Sequence, residues 1–255
     1  MRILLTNDDG IEAAGLGALC RAIADLGEVH VVAPEQVQSA TSHAVTFHRP
    51  IRVASHPGPG CQGVVGTSVA ARPADCVKLA IAHLVPQPID LVVSGINAGA
   101  NVGVNVIYSG TVAAAREAAF MGLPAIAVSQ HVGDWDGIRW EASARHASEA
   151  IRRVLDGPMA PHTVVNINIP ILDGGAEPKG MRVAPISTSS MVDKYEITPA
   201  DDGSFHYQSC NAMTFRNREP GTDVAALFDG YVTLTPLQHD VTDTVRLPRW
   251  REHIG

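Results

Sequence analysis

The stretch "RILLTNDDGIEAAGLGALCRAIADLGEVHVVAP", residues 2–34, has two short apolar runs with an amphipathic segment between them. The runs at 2–6 and 28–34 are apolar or β-branched and end at turn residues, which is typical of strands. Residues 12–27 place leucine and isoleucine at helical spacing before Gly27, which predicts a helix that ends there. A strand, a helix and a strand in this order predict a βαβ unit.

The same alternation continues along the chain. Strands that are apolar throughout and alternate with helices indicate a parallel sheet that is covered on both faces. We therefore expect an α/β fold, with a Rossmann-like, mostly parallel sheet and helices on both faces. The sequence predicts further helices at 74–85, 111–122 and 140–157, and further strands at 89–95, 124–129 and 163–170.

The alternation ends near residue 172. Residues 191–209 predict a polar β-hairpin with its turn near Asp201-Asp202-Gly203, and residues 221–237 predict a helix and then a strand. Because an isolated hairpin is marginally stable, we expect it to pack on a partner chain or on the main domain. We expect a core at 1–172 and a C-terminal extension of hairpin and arm at 173–255, in which 221–237 packs back on the core.

Composition excludes several classes of partner. The chain has 255 residues, and its net charge of −7 argues against binding long nucleic acids or anionic membranes. The four cysteines have no close metal-binding spacing, which favours reduced thiols. The apolar run at the N-terminus is too short for a signal peptide, and no run approaches the roughly 18 residues of a membrane span. We expect a cytoplasmic protein.

Polar side chains follow three of the predicted strands. Asp8 and Asp9 follow the first, Ser39 lies after the second, and Asn97 follows the central apolar strand. Ligands of open parallel sheets bind beyond these carboxyl ends. Adjacent carboxylates repel each other, and a divalent cation would remove that repulsion. The four residues form an all-oxygen set of the kind that Mg²⁺, Mn²⁺ or Ca²⁺ prefers. The alternative is an ordinary turn, since Asn-Asp-Asp-Gly is also good loop chemistry.

Two further segments carry candidate substrate-binding residues. In "SGINAGANVGVN" (94–105), glycines alternate with asparagines, among them Asn101, which favours a loop close to a ligand over a flexible connector. Ser109, Gly110 and Thr111 open the alanine-rich helix, whose free N–H groups would bind an anion, although an ordinary N-cap explains them too. His43 is a candidate for acid–base work because it is near Ser39, and a structural or exposed histidine is the alternative.

Seven segments follow one another along the chain: "RILLTNDDGI", "VVAPEQVQSA", "PADCVKLA", "LVVSGINAGANVG", "YSGTVAAA", "GLPAIAVS" and "GTDVAALFDGYVTLTPLQHD". Together, and in this order, they resemble the survival protein SurE family. The resemblance implies a metal-dependent phosphatase that hydrolyses nucleoside monophosphates, as a 5′- and 3′-nucleotidase, and that also trims short polyphosphate in some members. It implies one divalent ion per subunit, held by Asp8, Asp9, Ser39 and Asn97. It also implies a C-terminal extension exchanged between the subunits of a homodimer or homotetramer.

The chain departs from the family pattern at two places. "SVAAR" (68–72) separates Gly66-Thr67 from Pro73-Ala74-Asp75-Cys76, which the family usually joins directly. Asn105 stands where the family often has an acidic residue, so the glycine-rich loop has one negative charge fewer. Both departures bear on substrate choice and leave the four expected ligands intact.

We expect hydrolysis of a phosphomonoester by direct attack of a metal-activated water, with Asp8 and Asp9 catalytic, because no residue stands out as a covalent nucleophile. A nucleotide-sensing module without turnover is the main alternative. A receiver-like domain would need an aspartate after the central strand, where the chain has Ser94 and Asn97. A sugar-nucleotide transferase typically uses separated acids rather than an adjacent pair.

Overall fold

One nine-stranded sheet organises the protein in the computed structural model, which describes residues 1–61, 63–192, 194–210 and 214–255. The spatial order of its strands is β3-β4-β2-β1-β5-β6-β7-β11-β8. The six strands from β4 to β7 are mutually parallel. The strands are β1 Arg2–Thr6, β2 Glu28–Pro34, β3 Val53–His56, β4 Gly66–Val69, β5 Leu91–Ala98, β6 Ala125–Gln130, β7 Val164–Ile169, β8 Met181–Val183, β9 Tyr195–Pro199, β10 Phe205–Ser209 and β11 Val232–Leu237.

Helices cover both faces of this sheet. Ile3 and Leu5 of β1 pack into one apolar cluster with helices α1 (Ala14–Ile23) and α5 (Trp140–Leu155). Leu4 packs into a second cluster with α2 (Pro73–Leu79) and α4 (Gly110–Phe120). Successive strand side chains point to opposite faces, so β1 contributes to both clusters. The expected α/β fold is confirmed. The helices are α1 Ala14–Ile23, α2 Pro73–Leu79, α3 Asn105–Tyr108, α4 Gly110–Phe120, α5 Trp140–Leu155, α6 Asp223–Phe228 and α7 Leu247–Ile254; α2 continues as a π-helical turn over Ala80–Leu84.

The observed elements differ from the predicted ones at several ends. β5 runs to Ala98, so Asn97 lies within the strand rather than in a loop after it. Helix α1 stops at Ile23 and is followed by a 3₁₀ turn. Gly27 has extended backbone rather than a left-handed cap, and a Cβ there would lie 2.0 Å from the carbonyl oxygen of Met1. The glycine is thus required by close approach of the N-terminus.

The C-terminal residues contribute to the same sheet. β11 pairs antiparallel with β7, and β8 pairs parallel with β11. The predicted hairpin is confirmed as β9 and β10, which form a separate two-stranded sheet. Whether a boundary at 172 divides two domains stays a prediction. Among the described residues, no helix is long and apolar enough to cross a membrane.

Candidate functional site

The candidate site lies where the direction of the sheet's chain connections reverses. From β1 the chain goes to β2 on one side, while β5 lies on its other side. Such a switch point leaves a crevice beyond the carboxyl ends of the two central strands. Asp8 and Asp9 follow β1, and Asn97 is near the end of β5, so the topology alone brings these residues to one rim.

The turn after β1 is fixed by its own polar groups. Asn7 Nδ2 donates to the carbonyl oxygen of Gly10 over 2.8 Å, and Gly10 has a φ of 100° that other residues rarely adopt. The backbone N–H of Gln38 donates to the carbonyl oxygen of Asp8 over 2.7 Å. This bond ties the segment that carries Ser39 to the aspartate turn.

Asp8 is buried against the start of α4. Its Oδ1 accepts a hydrogen bond from the Thr111 hydroxyl at 2.5 Å. Gly110 permits this approach, because a Cβ at that position would lie 2.9 Å from Asp8 Oδ2. Burial raises the pKa of Asp8 from 3.8 to about 6; hydrogen bonds from Thr111 oppose the rise, and the Asp9 charge adds to it.

Asp9 is joined to the end of β5. Its Oδ2 accepts a hydrogen bond from the backbone N–H of Ala98 at 3.0 Å, and burial raises its pKa although this bond opposes the rise. Asn97 Nδ2 donates to the Gly99 carbonyl oxygen at 2.5 Å, which leaves the Asn97 carbonyl oxygen free to act as a ligand. β5 also changes register against β6 between Ser94 and Asn97, a bulge that re-aims the side chain.

The chemistry of this donor set fits a hard divalent cation. The two carboxylates are adjacent and substantially buried, and neither takes part in a salt bridge in the described part of the chain. A bound cation would supply the missing counter-charge. No cluster of three or more His, Cys, Asp or Glu side chains suited to a metal occurs among the described residues. The expected donors are the two carboxylates, the Ser39 hydroxyl and the Asn97 amide oxygen. Oxygen donors of this kind suit Mg²⁺, Mn²⁺ or Ca²⁺ better than Zn²⁺, which prefers nitrogen and sulfur.

A cavity of about 540 Å³ opens at this rim. Asp8, Ser39 and Asn97 all line it, while Asp9 lies outside its lining. Ser39 is exposed, whereas Asp8 is buried. The three side chains reach the cavity from three different segments that the topology brings together.

Asn101 and Ser109, both predicted to bind substrate, also line the cavity. Asn101 Nδ2 donates to Ser129 Oγ over 2.8 Å, and Ser109 Oγ caps α4 by accepting the N–H of Val112 over 3.0 Å. The cap and the anion-site interpretations of Ser109 are therefore compatible. Substrate binding by either residue stays a prediction.

The other three predicted substrate-binding residues are placed differently. Gly110 and Thr111 contact Asp8 and lie outside the cavity lining. His43 Nε2 is 2.7 Å from a carboxylate oxygen of Glu117, whose other oxygen accepts from Lys78. The structure thus places His43 in a hydrogen-bonded contact with Glu117, and an acid–base role for it stays a prediction.

Buried polar groups hold the glycine-rich segment in place. The Asn101 backbone N–H donates to Asn168 Oδ1 over 2.7 Å, and the Asn101 carbonyl oxygen accepts from Asn166 and Asn168 side chains. Farther along, Gly103 N–H donates to the buried Asp223 carboxylate over 2.9 Å. These bonds connect the rim of the site to β7 and to α6.

The cavity-wall residues that the prediction missed include three with ring side chains, Tyr108, His131 and Trp135. Burial lowers the pKa of His131, and the nearby Arg218 charge lowers it further. Trp135 lies in a loop that the sequence pattern leaves featureless. The one available signal was the position of His131 directly after β6, since residues that follow parallel strands collect at the same rim.

Comparisons with known proteins identify the family of this chain. The family model of the survival protein SurE matches residues 3–193. A 5′-nucleotidase SurE of Syntrophobacter fumaroxidans is 41% identical over 242 residues, which is 95% of both chains. A 5′-nucleotidase SurE of Nitratidesulfovibrio vulgaris is 43% identical over an alignment that covers 98% of both chains. The crystal structure of the SurE protein from Aquifex aeolicus matches with a TM-score of 0.84 and 31% identity over the whole of both chains. The chain therefore belongs to the survival protein SurE family.

Proposed function

We propose that this protein is a metal-dependent 5′-nucleotidase that hydrolyses nucleoside monophosphates to nucleoside and phosphate. Two curated relatives with about the same length carry the name 5′-nucleotidase. The structural observation that carries the proposal is the cavity lined by Asp8, Ser39 and Asn97, with Asp9 hydrogen-bonded behind it. Hydrolysis of the 3′ ester and of short polyphosphate belongs to the proposal as secondary activities.

One divalent ion per subunit, Mg²⁺ or Mn²⁺, or Ca²⁺ in crystals, would be held by Asp8, Asp9, Ser39 and Asn97. The support is the all-oxygen donor set and the two carboxylates without a counter-charge. When bound, such an ion neutralises phosphate charge and makes water a better nucleophile at neutral pH. The donors come from the turn after β1, the segment after β2 and the end of β5, so the ion would also fix the relative positions of these three segments.

The chain's own residues orient the reacting group and accept a proton. The start of α4 places its N-terminal dipole near the phosphoryl oxygens, and Ser109 and Asn101 line the same wall. One of the two carboxylates, Asp8 or Asp9, accepts the proton of the attacking water. Thr111 acts on Asp8 and thereby positions it.

A substrate panel tests the activity. Phosphate release from nucleoside 5′- and 3′-monophosphates and from a short polyphosphate is measured with Mg²⁺, with Mn²⁺ and with a chelator. We expect release only with a divalent ion. Loss of a residue that supports a metal ligand typically costs about 10–100-fold in activity. Asp8→Asn and Asp9→Asn change the ligands themselves, so each should lower the rate of phosphate release by at least that factor. Absence of release from every compound would favour a nucleotide-sensing module, and a trapped phosphoenzyme would contradict direct attack by water.

We further propose that residues 173–255 form an extension whose hairpin joins subunits into a homodimer or homotetramer. Every described residue of β9 and β10 is exposed, including the large apolar side chains of Tyr195, Ile197, Phe205 and Tyr207. Light scattering of Ile197→Asp tests this: its mass should fall to that of one chain, whereas Val65→Asp, another exposed apolar position, should leave the mass unchanged. An Ile197→Asp protein with wild-type mass would contradict the proposal.

We also propose a reducing, cytoplasmic environment for the protein. Cys20 and Cys61 are adjacent enough for their thiols to hydrogen-bond, and both are free. Cys76 is also free and buried. Disulfides form and persist in oxidising compartments, so unpaired neighbouring thiols favour a reducing one.

A further inference from the structure

The part of the cavity beyond Asp8 is uncharged and partly aromatic. Of the described residues that line the cavity, none is lysine or arginine, and Asp8 is the one carboxylate. Asparagine side chains, backbone and the rings of Tyr108, His131 and Trp135 make up much of the wall. A second phosphate would meet no side-chain cation there. The part of the substrate that extends past the reacting phosphate is therefore expected to be uncharged.

The size of the cavity also exceeds what a phosphate needs. Its volume of about 540 Å³ lies within the range of small-molecule sites, roughly 300–1,000 Å³. A single phosphate group would leave most of this space empty. The remaining volume suits a flat ring system attached to a sugar.

Two large aromatic side chains at this cavity are exposed. The exposed fraction is 64% for Trp135 and 54% for Tyr108. In the described part of the chain, neither ring packs against another aromatic ring or under a cation. Their faces are therefore available to a planar ligand.

Both rings are carried by tethered backbone. The N–H of Ser42 donates to the carbonyl oxygen of Tyr108 over 3.0 Å. Directly before Trp135, the N–H of Asp134 donates to the Asp173 carboxylate over 3.0 Å. A backbone that is already held loses less freedom when a ligand binds, which favours stacking on the two rings that it carries.

We propose that Trp135 and Tyr108 are specificity-determining residues that bind the nucleobase by stacking. This inference rests on the proposed nucleotidase activity. It concerns the nucleobase, the part of the substrate that the activity alone does not specify. Stacking uses the π face that every base has, so the site accepts all bases and favours purines for their larger ring area. Because no described residue that lines the cavity is lysine or arginine, nucleoside monophosphates should be better substrates than polyphosphate or nucleoside triphosphates.

Steady-state kinetics test the proposal with a substrate that has a base and one that does not. KM and kcat are measured for a purine nucleoside 5′-monophosphate and for ribose 5-phosphate. Trp135→Ala should raise KM for the nucleotide about tenfold, as loss of a base–aromatic stack does, and leave KM for ribose 5-phosphate within about twofold. Trp135→Phe keeps an aromatic ring, so its KM for the nucleotide should stay close to the wild-type value. Tyr108→Ala should behave like Trp135→Ala, and Tyr108→Phe like Trp135→Phe. Equal changes for both substrates would overturn the proposal.

A binding measurement makes the inference independent of turnover. The chain has three tryptophans, and adenosine stacked on Trp135 should quench part of the protein's fluorescence. The quenching should disappear in Trp135→Phe and persist in the matched variant Trp250→Phe. Quenching that survives in Trp135→Phe, or a wild-type protein that shows none, would overturn the stacking. If adenosine quenches the fluorescence of Trp135 but the protein releases no phosphate from any nucleotide, the proposed activity fails and the stacking stands.

Discussion

The hydroxyl of Thr111 donates to Oδ1 of Asp8 over 2.5 Å, although the two residues are 103 positions apart in the sequence. The bond joins the start of α4 to the end of β1. It leaves Oδ2 of Asp8 as the oxygen that remains for a ligand. The orientation of the buried carboxylate thus depends on a side chain that itself lies outside the cavity lining.

Loss of this bond should weaken the metal site. We expect Thr111→Val, which keeps the shape and removes the donor, to lower Mn²⁺ affinity by about 10–100-fold, the usual cost of removing a partner of a metal ligand. Thr111→Ser keeps the hydroxyl and should stay within a few-fold of wild type. Calorimetric titration with Mn²⁺ measures both. Equal affinities for Thr111→Val and wild type would show that the bond does not orient the ligand.

A methyl group at Gly110 should have a related effect by a steric route. The added Cβ would lie 2.9 Å from both Cβ and Oδ2 of Asp8 and 3.2 Å from a ring carbon of Pro73. Because Asp8 cannot move away without losing the Thr111 bond, we expect Gly110→Ala to lower phosphate release by at least about tenfold. Rates at saturating Mn²⁺ and melting temperature are measured together. A variant with full activity would mean that the start of α4 shifts freely.

The raised pKa of Asp8 predicts how stability depends on pH in the metal-free protein. Between the ordinary value of 3.8 and about 6, the folded state holds a proton on Asp8 that the unfolded state has lost. Stability therefore falls as pH rises through this window and levels off above it, by up to roughly 3 kcal/mol.

The measurement is chemical denaturation in a chelator at several pH values, for wild type and Asp8→Asn. The amide cannot ionise, so Asp8→Asn should escape this loss of stability. From about pH 4 to pH 6 the variant should therefore become steadily more stable than wild type. Saturating Mn²⁺ should reverse the order by stabilising wild type alone. A difference that does not change with pH would contradict the raised pKa.

The asparagines behind the glycine-rich segment should contribute unequally to stability. Asn168→Ala removes the acceptor of the buried Asn101 N–H, and an unpaired buried donor costs about 1–3 kcal/mol. Asn166→Ala removes one of two donors to the Asn101 carbonyl oxygen, so its cost should be about 1 kcal/mol or less. Urea unfolding compares the two. A larger loss for Asn166→Ala would mean that the network is arranged differently.

Asp223 should be sensitive even to an isosteric change. Its carboxylate accepts the N–H groups of Gly103, Ser187 and Val224 at 2.7 to 2.9 Å. In Asp223→Asn, an NH₂ group would face the N–H of Gly103, which should cost about 1–3 kcal/mol and loosen the rim of the site. Urea unfolding checks the cost, with exposed Asp229→Asn expected to be neutral.

Apolar periodicity predicted the central elements well, because strands buried on both faces and amphipathic helices each leave a clear pattern. β1, β2, β6 and β7 are found within about a residue of their predicted ends. β3 and β4 went unpredicted, since four-residue strands of small or polar residues have no measurable period. β8 has three residues and forms because β11 lies beside it.

The candidate site was predictable as far as it depends on strand ends. Asp8, Ser39 and Asn97 line one cavity because parallel strands deliver their ends to one rim. The aromatic wall was not predictable. Tyr108 ends the one-turn helix α3 and Trp135 lies in a loop, and the backbone at both places is held by contacts distant in sequence. The side chains of Asn166 and Asn168 carried an overlooked signal: two amides two positions apart in a buried strand point to the same face and need partners.

The exposed ribbon of β9 and β10 has a consequence for the protein at low concentration. The ribbon forms its own sheet, and two strands alone gain little stability in water. If neighbouring subunits provide its support, dilution should melt it well before the nine-stranded sheet unfolds. Hydrogen exchange in this segment would then accelerate as the sample is diluted, while β1 and β5 stay protected.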